Sequence, residues 1–100
     1  MDTDDTLTDA DRKRNAAQRQ AQQVDTNDLR WLMASKQGRR VARQLLGRAG
    51  VYRNSFEGTQ RDSQVAYREG RRSIGLELLG DITRAAPNEY LLMISEGKTE

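Results

Sequence analysis

Between Asp28 and Gly58 the apolar side chains recur at intervals of three and four: Leu29, Leu32 and Met33, then Val41, Ala42, Leu45, Leu46 and Ala49. That spacing lines one face of a helix, whereas a strand would need alternation. The same stretch holds the only Trp, the only Phe and the densest arginines of the chain, so the other segments read as its packing partners. Two short helices followed by a loop are predicted here. The fold class that follows is all-α: a small helical domain of about four helices (26–96) behind an extended or helical N-terminal arm (1–25), with a tail at 97–100.

The core of such a domain must be thin. The chain has 100 residues, 35% apolar and 32% charged, which makes one domain at the polar end of globular composition. A domain of this size buries only about 60 to 65% of its unfolded surface, and the first quarter of the chain adds almost nothing apolar. The expectation is an assembly component that draws part of its stability from neighbouring subunits.

Cysteine and histidine are both absent, which removes thiolate chemistry, disulfides, ordinary zinc sites and the usual general base at neutral pH. The carboxylate pairs Asp25/Asp28 and Glu77/Asp81 have no partner base or apolar pocket in view. Neither phosphate-loop pattern, GxxxxGK[ST] or GxGxxG, occurs. No catalytic, cofactor-binding or metal residue is expected, and the chain is not read as an enzyme. No apolar run approaches the roughly 20 residues that span a bilayer, and the acidic start MDTDDTLTDADRK has no signal-peptide character. A soluble protein made in a cytosol, without a membrane partner, is the expectation.

A net charge of +2 hides a partition. Residues 25–72 carry eleven Lys or Arg against five acids, while residues 73–100 carry two against five. Fourteen of the seventeen cations are arginine, the side chain suited to forked contacts with phosphate or carboxylate. Nucleic acid or an acidic protein surface fits the basic middle. Arg39, Arg40 and Arg43 on the second helix and Arg68, Arg71 and Arg72 on the third are the candidate contacts; a solvated polar face is the commoner explanation of such clusters.

Along the chain, residues 1–24 read either as a disordered arm or as a helix from about Asp9 to Gln23, capped by Thr8 or Asp9, that docks on a neighbour. The run Asp25-Thr26-Asn27-Asp28 is rich in capping residues and predicts a helix start, with that helix ending near Ser35. Trp31 is read first as a core or half-buried anchor and second as an exposed interface anchor. Gly38 separates this helix from the next or lies in its first turn where backbones pass closely; helix two covers Lys36 to Arg48. Its stripe is Val41, Leu45 and Ala49, flanked by Ala42 and Leu46, with the arginines outside.

A loop holding Val51, Tyr52 and Phe56 is expected to fold these side chains onto the core. A long helix from about Arg61 to Ala86 follows, with a stripe of Tyr67, Ile74, Leu78 and Ile82. Gly70, Gly75 and Gly80 mark close helix crossings, or a break near Gly70. Pro87 opens a last helix in which Tyr90, Leu91, Leu92, Met93 and Ile94 are more than one face can bury. Tyr90, Leu91, Leu92 and Met93 join Trp31 as candidate interface residues. A helix-turn-helix is the bottom-up alternative, yet Gly58 leaves little room for a recognition helix.

The string Leu29-Arg30-Trp31-Leu32, then Gly38-Arg39-Arg40, Leu45-Leu46, Ala49-Gly50-Val51, Ser55-Phe56, Glu69-Gly70-Arg71-Arg72 and Ile74-Gly75-Leu76, resembles a family of small phage proteins. Its members are encoded in the virion-structural gene block of short-tailed phages, near portal and capsid genes, and a Bordetella podophage supplies the type member. The likeness covers about Asp28 to Ile94. It implies a virion protein made in the bacterial host cytoplasm, internal or head-to-tail, that meets portal, adaptor or tail-vertex components and packaged DNA and is ejected with the genome. A small DNA-binding regulator and a transient assembly or packaging factor are the alternatives.

Overall fold

The structure, a computed structural model, describes residues 8–52 and 62–99. Four helices run in order: α1 (Asp9–Met33), α2 (Lys36–Arg48), α3 (Asp62–Ala85) and α4 (Pro87–Thr99). Among the described residues there is no strand. Phe56 lies outside the described residues.

The N-terminal arm is helical and continuous with the first helix of the domain. Thr8 Oγ1 accepts from the Asp11 amide at 3.1 Å and the Asp11 carboxylate accepts from the Thr8 amide at 3.3 Å, so two otherwise orphaned donors are satisfied together. No new helix starts at residues 25–28. Helical geometry persists because Thr26 and Leu29 sit on the inner side of α1 and Gln23 Nε2 donates to Asn27 Oδ1 one turn on, at 3.1 Å. Packing of Leu29 and Met33 outweighs the weak local preference of Asp and Asn for caps.

Two residues, Ala34 and Ser35, join α1 to α2. Ser35 Oγ accepts from the Gly38 amide at 2.9 Å and starts α2. At Gly38 the two helices nearly touch: a Cβ there would lie 1.7 Å from the Leu32 carbonyl oxygen. Gly38 is therefore a first-turn contact and not a spacer. At the other end of α2, Gly50 takes φ +74°. The amides of Gly50 and Val51 donate to Gly47 O and Leu46 O, and Val51 turns in to be buried. That paired bonding satisfies two terminal carbonyls and needs a residue tolerant of left-handed backbone.

The core gathers Met33, Ala42, Leu46, Val51, Ile82, Ala86 and Met93, with Leu29, Leu32, Leu78, Leu79, Tyr90 and Ile94 half-buried around it. The stripe of α2 is rotated from the expected one: Ala42 and Leu46 are buried, while Val41 and Leu45 are exposed. On α3, Ile82 and Ala85 are buried as part of the apolar stripe, but Tyr67 and Ile74 face solvent. Its closest crossing is at Gly75, where a Cβ would sit 2.5 Å from Ala49 Cβ and 2.6 Å from Val51 Cγ2. No such neighbour lies at Gly70, and α3 does not break there.

Pro87 begins α4 one residue after α3 ends. Helix α4 continues through Gly97 and Lys98 to Thr99, so residues 97–99 are not a tail. Gly97 lies against the stem of Arg43, with Cδ only 2.9 Å from where a Cβ would stand. The radius of gyration is 18.5 Å, against about 13 Å for a compact domain of 100 residues.

Candidate functional site

The arginines expected to meet a partner divide by environment. Arg39 is 8% exposed and belongs to the interior. Its Nε donates to Glu96 Oε1 at 2.6 Å and its Nη2 to Glu96 Oε2 at 3.2 Å, while Nη1 donates to the Met33 carbonyl at 3.0 Å. One guanidinium thus joins the end of α1, the start of α2 and the end of α4 in a forked arrangement. The hydrogen bond to Glu96 raises the Arg39 pKa, outweighing the opposing effect of burial. As a candidate for DNA or partner contact Arg39 is corrected: its donors are turned inward.

Arg40 and Arg71 are exposed, and Arg43, Arg68 and Arg72 are half-buried. Arg71 stacks its guanidinium 5.7 Å from the Tyr67 ring centre, a surface cation–π contact. With Gln44, Gly47, Arg48 and Gly50 it lines an open depression of about 780 Å³. Arg30 was not singled out in the sequence; its Nε donates to the Ala85 carbonyl at 3.0 Å and so caps the end of α3 from α1.

Trp31 stands 78% exposed and is not a core anchor. Helix α1 turns Leu29 and Met33 toward α3 and the core, which leaves position 31 on the opposite side. Trp31, Leu32, Ala34, Gln37, Gly38 and Val41 line a groove of about 530 Å³ at the α1–α2 elbow, with Ser35 at its rim. Among the α4 candidates, Leu91 and Leu92 are 66% and 46% exposed, Tyr90 is half-buried, and Met93 is fully buried. Met93 is corrected from interface to core, because at its position the helix faces the core residues of the other three.

Tyr90 shares a 3.3 Å hydroxyl–hydroxyl hydrogen bond with Tyr52. Tyr52 is 57% exposed and does not fold onto the core as expected; partial burial first, then this hydrogen bond, push its pKa up to about 12. Because the neutral phenol is favoured in the fold, the associated stability is present below the ordinary tyrosine value and is lost as pH rises through about 12. Absorbance titration near 295 nm should show a component at about 12 that vanishes in Tyr52→Phe; in Tyr90→Phe, it should move down.

A polar groove of about 460 Å³ between α1 and α3 is lined by Asp25, Thr26, Leu29, Asp81 and Arg84. Asp81 is engaged by Arg84 one turn on in α3. Among the described residues no group of three His, Cys, Asp or Glu is placed to hold a metal ion, and no helix is long and apolar enough to cross a membrane.

These features define a helical, non-compact protein with large apolar side chains exposed on all four helices. A family model for Bbp19-like phage proteins matches residues 29–95. The chain belongs to that family and is a bacteriophage protein. No curated protein and no solved structure matches.

Proposed function

We propose that this chain is a non-enzymatic structural component of the virion, made in the host cytoplasm and seated inside the head or at the head–tail joint. Its partners there are portal, adaptor or tail-vertex proteins, with packaged DNA as a counter-charge for the exposed arginines. One observation carries the reading. Among the described residues only eight apolar residues are buried, two of the five large ones being methionine, while ten large ones are exposed, Trp31, Ile74 and Tyr67 by more than two-thirds. A subunit so built gains most of its apolar burial from neighbours. Family membership supports the phage setting.

The regulator reading is less well supported. Helix α2 lies among the other three helices, its Arg39 is spent in the interior, and the next helix starts at Asp62, far beyond the three- or four-residue turn of a helix-turn-helix.

Quantitative mass spectrometry of purified particles tests the proposal. The chain is expected in mature virions at a fixed ratio to the portal protein. Presence in procapsids and loss from mature particles would make it a transient assembly factor; absence from both would end the structural reading.

A further inference from the structure

Helix α1 has a second face that no other described residue covers. Ala10, Ala17, Val24 and Trp31 recur at seven-residue intervals, and all four are exposed on the side of α1 away from α3. A strict seven-residue repeat keeps one narrow seam in line along a helix and is the spacing by which two helices pack along their length. The seam is graded, with alanine at its start and tryptophan at its end. It runs straight into the elbow groove, where Val41 stands 43% exposed beside Trp31.

The charges of α1 follow the same axis. Asp9 and Asp11 are acidic, Arg12, Lys13, Arg14 and Arg19 basic, Asp25 and Asp28 acidic, and Arg30 basic again. Laid in register and parallel on a second copy, this sequence sets like against like and Trp31 against Trp31. Reversed about its midpoint, it sets Lys13 of each copy beside Asp28 of the other, both exposed and both on the side of the seam. The same reversal brings Ala10 opposite Trp31 and Ala17 opposite Val24, so every large side chain meets a small one.

We infer that α1 is a self-association surface, on which a second copy of this chain packs antiparallel about a two-fold axis near Gln20. The beginning of each α1 then lies in the elbow groove of the other copy, under Trp31 and Val41. A two-fold contact of this kind is self-complementary, so one patch of surface serves both subunits. Ala17 sits near its middle and is exposed.

Sedimentation equilibrium on the intact chain should give twice the 11.4 kDa chain mass. Ala17→Glu should weaken that dimer, raising its dissociation constant about tenfold or more, with helix content by circular dichroism unchanged. Orientation is read separately. A nitroxide attached at Ala10→Cys, in copies mixed with isotope-labelled native chain, should broaden the single Trp31 indole signal. In a parallel pair the label would sit about 31 Å from that indole along the helix axis, and the signal would stay sharp. A monomeric native chain, a dimer indifferent to Ala17→Glu, or a sharp indole signal in the mixed dimer would each overturn the inference.

Discussion

Gly38→Ala is expected to cost about 3 kcal/mol or more, a large share of what a thin-cored domain has. The added Cβ would lie 1.7 Å from the Leu32 carbonyl oxygen and 2.8 Å from its carbon. Both are backbone atoms held by α1, and no side-chain rotation relieves the overlap. The elbow must open, which pulls Arg39 away from the Met33 carbonyl it binds one residue further on. Thermal melting should show a midpoint lower by roughly 12 °C or more, or a lost cooperative transition. Gly47→Ala is the control. Its Cβ meets nothing within 4 Å, and an alanine inside α2 should raise stability by up to about 1 kcal/mol. Equal melting of the two variants would refute the close approach at the elbow.

Removing Glu96 is the second large effect. Glu96→Ala leaves the Arg39 guanidinium in the interior with the Met33 carbonyl as acceptor and the charge of Glu89 as its remaining counter-charge. An unpaired cation held there is costlier than the pair is favourable. The midpoint should fall by roughly 10 °C or more. The double variant Arg39→Met, Glu96→Leu should recover most of that loss, since it removes the stranded charge and keeps the volume. A double variant less stable than Glu96→Ala alone would mean the forked pair is itself strongly stabilising.

Neither residue could be recognised as a pair from the sequence. The string Gly38-Arg39-Arg40 reads as a basic surface cluster, because periodicity reports which residues share a face and is silent on whether a carboxylate from 57 positions away lies beneath them. The extent of α2 was legible to the residue, and so was the start of α4 at Pro87, because Ser35, Gly50 and Pro87 act locally. The buried edge of α2 was not. Its apolar arc from Val41 to Ala49 is wider than its neighbours cover, and only the placement of α4 and α3 decides that Ala42 and Leu46 go in while Val41 and Leu45 stay out.

Similar reasoning applies to Trp31 and Gly75. A tryptophan beside Leu32 carries no sign of which way it turns until Leu29 and Met33 are committed to the core. A glycine every five residues on α3 suggests three crossings, yet of the three only Gly75 closely meets another segment, the turn that follows α2. Which of these side chains face solvent was therefore only half legible: Trp31, Leu91 and Leu92 are outside and Met93 is inside.

The unbroken run of α1 has a mechanical consequence. Twenty-five residues make a stiff rod about 37 Å long, and the bundle buries side chains of it chiefly in its last turns, from Thr26 to Met33. A rod clamped at one end is a lever. Tilting it by about 10° where Leu29 is held would swing Asp9 through about 5 Å, so a slight shift in the clamp is magnified at the far tip.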